Sequence, residues 1–354
     1  MRIAQIAPLY EAVPPKLYGG TERVVSYLTD ELVDLGHEVT LFASGDSHTK
    51  ATLEVAWPHA LRLDSSTRDV LAPHMLMLEK VRHVAREFDV LHFHLDYLPF
   101  SLFSRLDTAF VTTLHGRLDL PELQAVFDAF PKVPVISISD SQRLPLPQAN
   151  WLNTIYHGLP ENLLTPQPQK ERKYLAFLGR LCPEKRPDLA VRIAALSGLP
   201  LKIAAEVDKA DQEYFNAEVK PLLSQAHVEF LGEISEQEKP GFLSGAEALL
   251  FPIDWSEPFG LVMIEAMACG TPVIAFNRGS VPEVIDDGVT GYICEDVEDA
   301  IGALQKIDEL SRIEIRTRFE RRFTAATMAQ NYLNSYTSLL QVARRPVLQR
   351  VMAG

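Results

Sequence analysis

The sequence predicts an α/β protein of two successive domains, each a doubly wound parallel sheet with helices on both faces. Short apolar runs alternate with helical patterns from end to end, the signature of repeated strand–helix units. The rhythm breaks at Pro160–Glu171, where Thr165-Pro166-Gln167-Pro168-Gln169 can neither continue a helix nor join a central strand, and then restarts. A length of 354 residues is long for one core and natural for two.

In the first half the expected strands are Arg2–Pro8, Glu38–Ala43, Val90–His94, Phe110–Leu114, Val133–Ile138 and Asn153–Ile155. A helix over Thr21–Leu35 is stopped by Gly36. In the second half they are Tyr174–Gly179, Leu201–Glu206, Val228–Gly232, Ala248–Pro252, Pro272–Phe276 and Gly291–Cys294. Ligands of such sheets bind beyond the carboxyl ends of the strands, so chemistry is sought in those loops. Pro160–Glu171 is the expected hinge.

Composition narrows the function classes. Hydrophobic residues make up 47% and mean hydropathy is near zero, as in globular proteins. A net charge of −13 disfavours nucleic acid, and neither half carries a basic surplus. The cysteines Cys182, Cys269 and Cys294 are far apart with no C-x-x-C, which argues against a disulfide scaffold and for a reducing cytoplasm. Met1–Ile6 opens as a strand without a signal-peptide pattern, and no apolar run is long enough to span a bilayer. The arginines between Arg312 and Arg322 are interrupted by Glu314 and Glu320 and read as a solvated helix face.

The most informative stretch is Trp255–Cys269, directly after the apolar run Ala248–Pro252. Leu261–Cys269 has the composition of a buried helix. Phe259, Gly260 and Leu261 then offer backbone N–H groups at its start, where the helix dipole favours an anion such as phosphate. Glu257 and Glu265 lie eight residues apart. If both were helical they would be about 12 Å apart along the axis and about 80° around it, too divergent for a facing acid and base. The expectation is instead Glu257 in the loop and Glu265 on the helix. A phosphate flanked by two hydroxyl-binding carboxylates describes a nucleotide sugar.

Glu257-Pro-Phe-Gly-Leu-Val-Met-Ile-Glu265, continued by Ala268-Cys-Gly-Thr-Pro-Val-Ile-Ala275, resembles the E-x7-E motif of retaining, nucleotide-sugar-dependent glycosyltransferases of family 4. The resemblance implies the GT-B fold of two Rossmann-like domains facing across a cleft. Residues 1–165 would bind the acceptor, 166–325 the nucleotide sugar, and 326–354 would return as a helix to the first domain. It implies that Glu257 contacts sugar hydroxyls and that Glu265 holds the ribose. Gly179-Arg180-Leu-Cys-Pro-Glu-Lys185 follows a strand with two cations five residues apart. Spacing alone does not separate diphosphate ligands from solvent-facing cations; the resemblance makes Arg180 and Lys185 donor-phosphate residues. Arg186 stands where the family frequently has glycine.

In the first half, Gly19 and Gly20 before a helix allow close backbone approach or simply a flexible turn. The resemblance directs this loop towards the donor's diphosphate. His115, after the fourth strand, matches an element whose histidine contacts the transferred sugar. Ser139 falls in an element near the acceptor cleft. His92 and His94 share a strand face, so a metal is conceivable, but the resemblance implies metal-independent chemistry. Tyr156-His-Gly-Leu-Pro160 departs from the family's N-G-[VI]-D turn. Val228–Ser235 matches the strand and loop over which the base lies, and Glu283 reads as a helix-start acid.

The expected activity is therefore metal-independent retaining transfer of a hexose, with UDP-glucose as the donor by family frequency. No cofactor is implied beyond the nucleotide-sugar co-substrate. The acceptor is a small molecule, glycan or lipid-linked sugar, with peripheral membrane contact open. No covalent nucleophile can be named. Two alternatives stand beside this: a glycoside phosphorylase on the same scaffold, and a non-catalytic sugar-nucleotide-binding subunit. A nicotinamide dehydrogenase lacks its glycine fingerprint here. The segments Gly45–Trp57 and Gly116–Val126 are expected acceptor loops without a legible code.

Overall fold

The computed structural model describes residues 1–16, 19–62, 64–167 and 171–344. The chain forms two compact units. The first comprises Met1–Ile138, Pro145–Ile155 and Ala326–Gly354, and the second comprises Ser139–Leu144 and Tyr156–Ala325.

The first unit holds a parallel sheet of β1 (Arg2–Ile6), β2 (Glu38–Ser44), β3 (Thr52–Trp57), β4 (Val90–Phe93), β5 (Ala109–Thr113), β6 (Pro134–Ser137) and β7 (Asn150–Thr154). Their spatial order is β3-β2-β1-β4-β5-β6-β7. β1 sits centrally, pairing Ile3 with Val39 on one side and Val90 on the other. Every residue of β4 is buried, as a strand covered on both faces requires. Helices α1 (Gly20–Asp34), α2 (Leu71–Val84), α3 (Phe100–Phe103) and α4 (Pro121–Ala129) belong to this unit. Phe93 packs on Phe103 at 4.5 Å between ring centroids, and Phe100 meets Phe127 edge-on at 5.7 Å.

One element was not expected. Residues 52–57, part of the expected acceptor loop Gly45–Trp57, form the edge strand β3. It pairs with β2 alone and is mostly exposed, so it carries no continuous apolar run to announce it. The last strand begins at Asn150 rather than Asn153 for the same reason: it is an edge with little burial.

The second unit repeats the plan with β8 (Tyr174–Arg180), β9 (Leu201–Glu206), β10 (Val228–Gly232), β11 (Ala246–Phe251), β12 (Val273–Phe276) and β13 (Gly291–Cys294), ordered β10-β9-β8-β11-β12-β13. Its helices are α5 (Pro187–Ser197), α6 (Gln212–Tyr214), α7 (Lys239–Ser244), α8 (Leu261–Ala268), α9 (Val281–Val284), α10 (Val297–Leu304) and α11 (Arg312–Arg322). All but the first residue of α12 (Ala325–Arg344) lies in the first unit. There Tyr332 and Tyr336 are fully buried.

Residues 160–167 of the expected hinge belong to the second unit, so the division falls at Ile155 rather than 165. Arg316 holds this segment, its guanidinium donating to the carbonyls of Leu164 at 2.8 Å and Glu161 at 2.7 Å. Residues 168–170, within the proline stretch, and 345–354 lie outside the described residues. So does Tyr18, beside the Gly19-Gly20 pair.

Candidate active site

Both sheets change winding direction at one place, between β1 and β4 and between β8 and β11. Loops at the carboxyl ends of those pairs diverge and leave room for a ligand. In the second unit these loops carry the two motifs singled out above. They are joined by the Asp254 amide donating to the Glu184 carbonyl at 3.0 Å. Lys185 closes the turn Pro183–Lys185, and its ammonium donates to Oε2 of Glu257. The Trp255 indole N–H donates to that same oxygen at 3.1 Å. The ammonium also lies 5.2 Å from the ring centroid of Phe251 and 5.5 Å from that of Trp255, both cation–π distances. Glu257 is thus a nearly buried carboxylate, 8% exposed, held by a cation and an indole.

Helix α8 begins three residues past Pro258, at Leu261. Gly260 is its N-cap, in the left-handed region at φ 77°, with no side-chain cap. A Cβ there would lie 2.9 Å from Met263 Cε and 3.1 Å from the Phe251 ring, so glycine is needed both for the turn and for the space. The expectation that Phe259 belongs to the first helical turn is corrected: Phe259 precedes the cap, and its ring is buried edge-on to His157 at 4.9 Å. The helix N-terminus proper is Gly260–Leu261. Behind it, Ser280 donates its hydroxyl to the Phe259 carbonyl at 2.9 Å and its amide to the Glu257 carbonyl at 3.0 Å.

Glu265 lies on α8 among buried apolar residues and is itself 5% exposed. Lys239, the first residue of α7, meets it at 2.6 Å. Sequence reasoning missed Lys239, which stands in no motif; only the fold brings it to Glu265. Arg180 is placed differently from Lys185. Its guanidinium pairs at 3.1 Å with Asp211, in the turn after β9, so the two expected phosphate cations rest on different carboxylates.

In the first unit, Gly19 is the N-cap of α1 and Gly20 its first residue. His115 follows β5 and is half-buried; its Nε2 lies 2.8 Å from Nδ1 of His94. Burial pushes the His115 imidazole down to about 3, so it is neutral at pH 7. Asp96 was not singled out by sequence. It has φ 49°, unusual for a non-glycine residue, and its carboxylate accepts the backbone N–H of His115. Desolvation pushes this carboxyl up to about 6. His92 and His94 use both ring nitrogens in hydrogen bonds to protein groups. Among the described residues no group of three His, Cys, Asp or Glu side chains is arranged to hold a metal ion.

The sequence model described as Glycosyltransferase Family 4 matches residues 18–183, and that described as Glycosyl transferases group 1 matches residues 164–326. The chain belongs to glycosyltransferase family 4. A phosphatidyl-myo-inositol mannosyltransferase of Mycolicibacterium smegmatis is 28% identical over 85% of this chain and 82% of its own. Spore coat protein SA of Bacillus subtilis is 26% identical over 95% of this chain and 99% of its own. Among solved structures, a glycosyltransferase involved in avilamycin A biosynthesis superposes with a TM-score of 0.71 at 25% identity, covering 96% of this chain and 98% of the other. Anabaena HepE, solved with UDP and glucose, superposes with a TM-score of 0.73 at 20% identity, covering 96% of this chain and all of the other. The fold is GT-B, and the protein is a glycosyltransferase.

Ser139 of this family 4 enzyme lies in the second unit, not the first. It is fully buried, and its hydroxyl accepts the Gln142 amide at 3.1 Å. The hydroxyl therefore caps the turn that follows it. Glu283 accepts the amides of Asp140 and Ser141, both at 2.7 Å, fixing that same turn. Among the described residues no helix is long and apolar enough to cross a membrane.

Proposed function

We propose that this enzyme transfers a hexose, with retention of configuration and without a metal ion, from a nucleoside diphosphate sugar to a hydroxyl acceptor, UDP-glucose being the donor of first choice. One observation carries the reading: the carboxylates of Glu257 and Glu265 flank the open N-terminus of α8, and each has one oxygen anchored by a lysine. An anchored carboxylate is an oriented acceptor for sugar hydroxyls, and an uncapped helix start beside Lys185 is an anion site.

In this mechanism the diphosphate lies against the amides of Gly260 and Leu261. Lys185 has three N–H donors and gives one to Glu257, so the others serve phosphate oxygens. Arg180, once released from Asp211, adds a planar fork of donors. Glu257 orients the hexose and Glu265 the ribose, and His115 contributes a neutral imidazole to the sugar. The bond from C1 to the β-phosphate oxygen breaks, and its electron pair leaves with the nucleoside diphosphate. The acceptor oxygen forms the new bond to C1 on the same face, and its proton passes to the departing phosphate, the nearest base. Stabilisation of the leaving charge by fixed cations and amides is the main contribution, and it makes a divalent ion unnecessary. The expected setting is the cytoplasm, which three buried, unbridged thiols suit.

The test is thermal stabilisation by UDP-, GDP- and ADP-hexoses in excess EDTA, followed by assay of nucleotide release. The expected result is a rise in Tm with one nucleotide sugar and slow nucleotide release, both unaffected by chelation. Stabilisation by inorganic phosphate alone, with phosphate-dependent cleavage of a disaccharide, would overturn the reading in favour of a phosphorylase.

A further inference from the structure

The interior of the first unit contains a continuous chain of hydrogen-bonded side chains that begins at His115 and ends on the C-terminal helix. His115 Nε2 meets His94 Nδ1 at 2.8 Å, and His94 Nε2 meets Gln5 Oε1 at 2.8 Å. The Gln5 amide nitrogen donates to the Tyr336 hydroxyl at 3.1 Å, and that hydroxyl lies 2.7 Å from His92 Nδ1. His92 Nε2 lies 2.8 Å from the Thr113 hydroxyl, which meets the Tyr332 hydroxyl at 3.1 Å. Gln5, His92, Thr113, Tyr332 and Tyr336 are all fully buried, so no water completes these contacts from outside.

With the Gln5 amide nitrogen facing Tyr336 and its oxygen facing His94, the donors and acceptors fall in one order. Gln5 Oε1 can only accept, so His94 carries its proton on Nε2. A neutral His94 then accepts at Nδ1, and His115 must donate from Nε2. On the other arm, Tyr336 already accepts from the Gln5 amide, so its O–H donates to His92 Nδ1. His92 then donates from Nε2 to Thr113. Reversing the Gln5 amide would reverse this arm by arm, moving the His115 proton to Nδ1. Gln5 therefore chooses between two tautomers, and the Tyr336 hydroxyl, which accepts from the amide and meets His92 Nδ1, ties that choice to the second arm.

We propose that Tyr336 on α12 and Gln5 on β1 are positioning residues that fix His115 in its Nε2–H tautomer. The inference rests on the reading of His115 as a sugar contact, and extends it: the C-terminal helix determines which ring nitrogen of His115 carries the lone pair. Burial lowers His92 and His115 far below the usual histidine range, so both of these rings are neutral at pH 7. A histidine's function depends on the group that orients its other nitrogen, and here that group is itself oriented from a distant helix.

The experiment uses the full chain with 15N-labelled histidine. Long-range 1H–15N spectra read the His115 tautomer in the wild type, in Tyr336→Phe and in Tyr332→Phe, alongside release of UDP from UDP-glucose. Tyr332→Phe is the control, since it removes an equally buried hydroxyl from the same helix beyond the Gln5–His94–His115 arm. The expected result is a single Nε2–H tautomer in wild type and control, and a mixture in Tyr336→Phe. In that variant kcat falls about ten-fold with KM for UDP-glucose unchanged. An unchanged His115 tautomer in Tyr336→Phe overturns the proposal, as does a shifted tautomer with unaltered kcat. Failure of the wild type to act on any nucleotide sugar would instead strike the functional reading and leave the tautomer measurement standing.

Discussion

At Glu257 a carboxylate only 8% exposed is held through one of its oxygens by Lys185 and the Trp255 indole. Removing Lys185 therefore has two effects. Lys185→Ala deletes a donor to the leaving phosphate, which is expected to lower kcat by about 10²–10³-fold. It also leaves a nearly buried charge unpaired, at a cost of about 3 kcal/mol. The effects separate in the double variant Lys185→Met, Glu257→Gln, which carries no unpaired charge. Its melting temperature should return towards wild type while turnover stays low, as calorimetry and nucleotide-release assays would register. Recovery of turnover along with stability would mean that Lys185 acts on folding alone. The cation–hydroxyl-binder assignments were legible in sequence as motif positions. That Lys185 and Glu257 are partners was not, because 72 residues separate them and only the loops after β8 and β11 bring them together.

The element that shapes the site is the turn from Trp255 to Gly260 leading into α8. Its backbone is braced by the Glu257 amide donating to the Trp255 carbonyl at 2.9 Å within the turn and, from outside it, by Ser280 and Gly279. Gly279 has φ 56°, and a Cβ there would sit 2.4 Å from both the amide nitrogen and carbonyl oxygen of Glu257. Gly279→Ala must push the Glu257 segment away, and a shift of about 1 Å is enough to degrade a positioned group. The expected outcome is a donor KM raised about ten-fold or more with the fold retained by circular dichroism; unchanged KM would mean that Glu257 tolerates displacement. The strand, turn and buried helix here were readable from Ala248 to Cys269, because a fully buried parallel strand and helix leave nearly continuous apolar runs. The edge strand β3 was missed because exposed edges carry no such pattern. The first-turn assignment of Phe259 failed because a left-handed cap at Gly260 delays the helix by a residue, and apolar composition does not record φ.

On the scale of the whole molecule, two units repeat one strand order, and each gathers charged groups at the place where its winding reverses. In the first unit this includes Glu22, 5% exposed in the first turn of α1, whose carboxylate accepts the amides of Glu11 and of Glu22 itself. Burial, aided by the nearby Glu11 charge and opposed by Arg62, raises its pKa from 4.5 to about 7. The folded state therefore holds this proton more tightly than the unfolded chain. The resulting stability is complete below 4.5 and is lost as pH rises through about 7. Urea midpoints should accordingly fall between about pH 5 and about pH 8, and Glu22→Gln should flatten that fall. An identical slope in the variant would place the titration elsewhere.

The sequence by itself determined the fold class, the positions of the central strands along the chain, and membership in a family whose motifs mark Glu257, Glu265, Arg180, Lys185 and His115. It could do so because buried parallel strands and phosphate-binding turns impose local composition that survives without knowledge of neighbours. Only the tertiary structure decided who partners whom: Lys239 with Glu265, Asp211 with Arg180, Ser139 with its own turn, and Tyr336 with Gln5 and His92. Those pairings join residues distant in the chain or depend on side-chain direction, and neither leaves a periodic trace in one sequence. Charge anchoring and proton order, which set the chemistry of the site, are properties of such pairings.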